Sequence, residues 1–159
     1  GHVVSDTNVE NVSFADFEIP ALGETSYNFT QIVPDGSHLV IAATDDAGNS
    51  SGTYLVVDDT QTSEVNMTDD LAGTLSSYQI ETIDLQFAED SHLTITEEQI
   101  LALSETIDTL VVQGGIDDSV TITGAQAQGT QTVDGTNYNV FSLGDATLLI
   151  ENEITNVVI

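Results

Sequence analysis

Apolar positions fall mostly into short runs bounded by Gly, Pro, Asn and Asp, which is a pattern of strands and turns rather than long helices. Residues 3–20 hold short strand candidates closed by Pro20. Ser26 to Val33 alternates through Tyr27 and Phe29, and Pro34-Asp35-Gly36 then reads as a turn. His38 to Thr44 is nearly continuous in apolar side chains, as a strand buried on both faces requires. It stops at Asp45, Asp46, Gly48 and Asn49, residue types that bond their own backbone or tolerate unusual angles. Thr53 to Val57 is β-branched and aromatic, so the chain returns as a strand and runs out on Asp58-Asp59-Thr60.

Gln61 to Ser77 is polar and reads as a linker leading into a second domain. Tyr78 to Phe87 and His92 to Ile95 are strand candidates. Thr96-Glu97-Glu98-Gln99 has the form of a capping box and predicts one short helix to about Ser104. Ile107 to Gln113 predicts another strand, Gly114 to Asp118 a turn, and Ser119 to Thr123 a further strand. Asp134-Gly135 is a hairpin signal. Gly144-Asp145 predicts the next turn, and an apolar run closes the chain at Ile159. One echo stands out: Glu81-Thr82-Ile83-Asp84 returns as Glu105-Thr106-Ile107-Asp108. The two copies would fit equivalent edges of two parallel strands with a crossover helix between them. The expected organisation is therefore mainly β in two parts. A first β portion of about four or five strands occupies 1–60. A β-rich module with one short α-helix occupies 61–159.

Charge changes the picture most. The chain carries 27 acidic side chains and no lysine or arginine among 159 residues. Two like charges roughly 10 Å apart repel by about 0.4 kcal/mol in water, so the fold is opposed by its own charge unless cations gather on it. A partner surface of phosphates, whether nucleic acid or anionic membrane, is excluded because nothing here neutralises one. With 40% apolar residues the chain has the material for a core, so its acidity does not imply disorder. It has no cysteine, hence no disulfide or thiol chemistry. No apolar run reaches membrane-spanning length. The opening Gly1-His2 reads as a cloning remnant, and the chain is expected to be a piece of a longer one.

An apolar strand, then Asp45-Asp46-Ala47-Gly48-Asn49, then a strand ending Val57-Asp58-Asp59-Thr60 resembles the last third of a bacterial immunoglobulin-like repeat. Such repeats form the stalks of long calcium-dependent surface adhesins, and the resemblance implies an immunoglobulin-like β-sandwich portion over 1–60, too short for a complete sandwich of about 100 residues. The later run from Leu93 to Gly124, with its glycine-acid turn and the hairpin that follows, resembles a module found in the same adhesins. These resemblances imply Ca²⁺ at the loop (Asp45, Asp46, Asn49) and at the joint (Asp58, Asp59), where oxygen donors suit that hard ion. Gly114-Gly115-Ile116-Asp117-Asp118-Ser119-Val120 is similar to the nonapeptide calcium repeat. It departs from that repeat, with Asp117 in a glycine position and Ser119 in a ligand position. Asp117 and Asp118 join the candidate metal ligands, as do the echoed Asp84 and Asp108.

Other chemistries carry less. The three histidines have no partner histidine four residues away, so no zinc motif is present. No nucleophile elbow occurs, and with so many acids a carboxylate pair is no signature of a glycosidase. The expected role is a non-catalytic extender, monomeric and extracellular at the bacterial surface, contacting neighbouring domains of its own long chain. The alternative is a calcium-dependent domain that binds a glycan or a peptide.

Overall fold

The computed structural model describes residues 1–5, 8–19, 24–33, 37–57 and 63–159. Their first strands are β1 (His2–Ser5), β2 (Asn8–Asn11), β3 (Phe14–Ile19), β4 (Glu24–Phe29), β5 (His38–Thr44) and β6 (Ser50–Leu55). There follow β7 (Ser63–Asn66), β8 (Ile80–Asp84), β9 (Ser91–Thr94), β10 (Thr109–Gln113) and β11 (Ser119–Thr121). The last are β12 (Gln126–Val133), β13 (Thr136–Leu143), β14 (Ala146–Glu151) and β15 (Asn156–Val158). The expected fold class is found: the protein is mainly β.

Among the described residues two α-helices are present where the sequence predicts one. The first, α1 (Asp69–Leu75), lies in the segment that reads as a linker. Thr68 caps it by accepting a hydrogen bond from the Leu71 N–H, and Asp69 and Asp70 sit in its first turn, where the helix dipole favours negative charge. Leu71, Ala72 and Leu75 form its buried face. The second, α2 (Glu97–Leu103), opens with the expected capping box of Thr96 and Gln99. The Gln99 Nε2 donates to Asp69 Oδ1 at 3.0 Å, tying the two helix starts together.

The organising feature is a stack of coils. From β6 onward each circuit of chain places one strand in a nine-stranded sheet and the next in a four-stranded sheet. In the large sheet β6, β8, β10 and β14 lie parallel and adjacent; in the small one β7, β9, β11 and β15 do the same. Thr53, Thr82 and Val111 are consecutive partners, spaced at equal intervals along the chain. In the small sheet Val65 pairs with Leu93 and Leu93 with Val120, at nearly the same interval. The fourth circuit is delayed by the β12–β13 hairpin, which extends the large sheet beyond β14. It turns at Asp134-Gly135 as expected, with positive φ at both residues.

The echo of Glu81–Asp84 in Glu105–Asp108 does not mark this repeat. Thr82, Ile83 and Asp84 stand opposite Val111, Val112 and Gln113, and the second copy of the echo lies ahead of β10 rather than within it. The expected parallel pair with a crossover helix does exist, as β8, α2 and β10. The repeat is written instead in Ser63-Glu-Val-Asn-Met-Thr-Asp-Asp against Ser91-His-Leu-Thr-Ile-Thr-Glu-Glu. Their strands pair residue for residue, from Ser63 with Ser91 to Asn66 with Thr94. In both copies a β-strand feeds a threonine cap and two acids that open a helix.

Strands from both sides of the boundary expected at residue 60 pair in one sheet. β5 and β6 form the hairpin read from the sequence, and β6 then runs parallel to β8. The core is correspondingly continuous. Val40, Tyr54, Ile83, Val112 and Ile150 are register neighbours across five strands, and all are fully buried. Behind them lie Leu71, Leu75, Ile100 and Leu103 of the helices, with Val65, Leu93 and Val120 of the small sheet. One apolar face of β5 and β6 is thus covered by the same core that covers the coils. β3 and β4 form a separate hairpin.

Candidate functional site

The parallel strands give the large sheet two distinct ends, and the candidate ligands divide between them. Asp45, Asp46 and Asn49 lie in the β5–β6 turn, at the end where the parallel strands begin, and Asp108 immediately precedes β10 at that same end. Asp84 ends β8, while Asp117 and Asp118 lie in the turn that follows β10. Strands of five or six residues separate the two groups by roughly 17–20 Å. Asp58 and Asp59 lie outside the described residues.

At the first end Asp45 holds its own turn. Its Oδ1 accepts from the N–H groups of Ala47 (2.9 Å) and Asn49 (2.8 Å), and its Oδ2 from Asn49 Nδ2 (2.7 Å). Those bonds favour the charged form, led by the Asn49 side chain, and hold the carboxyl below its ordinary value. Asp46 and Asp108 are exposed. Nearby, Gln79 Oε1 accepts from Ser104 Oγ, Glu105 N and Thr106 Oγ1, fixing the chain that leads from α2 into β10.

At the second end the carboxylates are buried. Asp118 is 2% exposed; its Oδ1 accepts from Ser91 N at 2.9 Å and its Oδ2 from Gly115 N at 2.7 Å. It therefore clamps the β10–β11 turn to the start of β9 in the preceding coil. Burial pushes its carboxyl above the ordinary range, and the charge of Asp117 adds to the rise. Asp84 is 8% exposed and accepts from Gln86 N at 2.9 Å. Burial raises it too, with Glu151 and Asp118 contributing repulsion. Glu151 Oε2 accepts from Gly114 N and Gln86 Nε2, both at 3.2 Å. A cleft of about 190 Å³ opens here between Gln86, Gly115, Asp117, Asp118 and Glu153.

Glu151 and Glu153 are not among the candidates read from the sequence. Glu151 reaches this end because Val112 pairs with Ile150, a separation lengthened by the inserted hairpin. No local motif carries that spacing. Among the described residues the oxygen donors, though of the right chemistry for Ca²⁺, form no group of three or more acidic or histidine side chains able to hold a metal ion. His92 is flanked by two carboxylates, its Nδ1 lying 3.1 Å from Glu64 and its Nε2 3.2 Å from Asp90. The Glu64 hydrogen bond leads in raising the His92 pKa.

No family model, curated protein or solved structure matches the chain. Among the described residues no helix is long and apolar enough to cross a membrane.

Proposed function

We propose that the chain is a non-catalytic structural module of a bacterial surface adhesin, a spacer that holds an adhesive region away from the cell. The observation that supports this reading is the coil stack. Each coil is bonded to the next in both sheets, and one apolar core runs from Val4 to Ile154. A stack in which every unit rests on its neighbour resists bending along its axis and is extended by adding units. The clamps at Asp118 and Gln79 serve the same end, since each ties one coil to the next.

Calcium enters this reading through the resemblance to calcium-dependent stalks and through the charge. The described carboxylates do not fit a preformed cage: Asp45 and Asp118 already use both oxygens on neighbouring N–H groups. With 27 acids and no basic side chain, cations would still stabilise the fold by relieving self-repulsion. Thermal melts at fixed ionic strength in EDTA, in millimolar Mg²⁺ and in millimolar Ca²⁺ test this. The expected result is a rise in Tm with both ions. A further rise confined to Ca²⁺ would indicate a dedicated oxygen cage. No rise with either ion would remove the cation-stiffened reading.

A further inference from the structure

The outer face of the large sheet, away from the shared core, carries a groove of about 560 Å³. Leu39, Ile41, Leu55 and Val57 line it, and Phe87, 61% exposed, stands at its rim. Leu39 pairs with Leu55, Leu55 with Asp84 and Asp84 with Gln113, so these four lie abreast in one row across four strands. The row passes from apolar to acidic, and on the strand beyond Gln113 stands Glu151.

We infer that this groove docks a basic, partly apolar segment of another protein, which lays the methylene stem of a lysine or arginine along Leu39, Leu55 and Val57 and sets its cation against Asp84. The apolar part of the row opens into the groove, yet beside it in the row stands Asp84, a carboxylate that is itself nearly buried, so an occupant needs an apolar stem and a positive head. The head must come from outside, because the chain has no lysine or arginine of its own. An acidic partner would meet the repulsion of a chain of formal charge −27, and a wholly apolar one would strip water from Asp84 without replacing it. The backbones of β5, β6 and β8 are each paired on both sides, so recognition here is by side chains and not by strand addition. Neither the spacer reading nor calcium enters into this docking.

The test is ¹H–¹⁵N NMR titration of the chain at about 0.15 M salt, where long-range attraction is screened. The probes are the blocked peptides Val-Lys-Val-Lys-Val and Val-Glu-Val-Glu-Val. Saturable shifts confined to Leu39, Leu55, Val57, Asp84 and Phe87 are expected with the lysine peptide, and none with the glutamate peptide. Asp84→Asn is expected to weaken binding at least tenfold, and Asp46→Asn to leave it unchanged. Because Asp84 is buried, Phe87→Ala at the exposed rim provides a second variant and is expected to weaken binding while the spectrum stays folded. Shifts spread over the acidic surface, equal affinity in Phe87→Ala, or displacement of the peptide from these residues by millimolar Ca²⁺ would overturn the proposal.

Discussion

The two turns that bracket the large sheet use the same side chain in opposite ways. At the β5–β6 turn Asp45 is exposed, collects three hydrogen bonds from its own loop and has its pKa lowered. At the β10–β11 turn Asp118 also bonds two N–H groups, but it is buried, and its pKa is raised. Both are aspartates in glycine-containing acidic turns, and both look like metal ligands in the sequence. The difference is desolvation: hydrogen bonds favour the charged form at each site, and only at Asp118 does burial outweigh them. The bonds also differ in reach. Those of Asp45 close a local loop, whereas the bond from Ser91 to Asp118 spans a whole circuit of chain and so holds two coils together.

That contrast can be broken in order of effect. The largest change is expected from Ile83→Ala, which opens a cavity where β6, β8 and β10 meet in the core. It should cost about 3 kcal/mol in urea denaturation and leave one cooperative transition, because strands from both sides of residue 60 share that core. Two separated transitions would show that the antiparallel strands and the coils unfold independently. Next, Asp118→Ala orphans the N–H groups of Ser91 and Gly115 and should cost about 2 kcal/mol, offset in part by the relief of a buried charge. Asp45→Ala should lower the urea midpoint less, since water reaches every group it frees. Equal midpoints for the two variants would mean that burial does not distinguish the turns.

The smallest and most diagnostic effect is on pH dependence. Asp84 and Asp118 have folded pKa values above the ordinary 3.8, so the stability they contribute is complete below 3.8 and is lost as pH rises through their folded values. His92, raised above 6.5, contributes in the same sense: fully below 6.5, and lost as pH rises through its folded value. Asp45, lowered, contributes above 3.8 and loses that contribution as pH falls through its folded value. His2 opposes the trend, since burial lowers its pKa; its contribution is present above 6.5 and is lost as pH falls through its folded value. In EDTA at constant ionic strength, Tm is therefore expected to fall as pH rises from 3.8 through the folded values of Asp84 and Asp118. A profile flat or rising across that window would contradict the raised carboxyls of Asp84 and Asp118.

Much of the local structure is legible in the chain. The β5–β6 hairpin, the Thr96–Gln99 capping box and the Asp134-Gly135 turn each depend on residues within a few positions of one another. The first helix is equally local, with Thr68 as cap and Leu71, Ala72 and Leu75 on one face, but its acidic opening reads as linker. The likeness of 63–70 to 91–98 is also present in the sequence and is masked by the more literal echo of Glu-Thr-Ile-Asp.

What the sequence by itself determined was the mainly β class, most of the turns, the second helix and a formal charge of −27. Each follows from composition or from contacts between near neighbours. Only the tertiary structure decided which strands lie side by side, that β6 joins β8 across residue 60, and that Glu151 reaches Asp84. A period of two assigns a side chain to a face of its strand but names no partner for that strand. The partner is chosen by core packing between positions as distant in the chain as Ile83 and Val112, or Val112 and Ile150. Burial, which sets the chemistry of each carboxylate, follows from that choice.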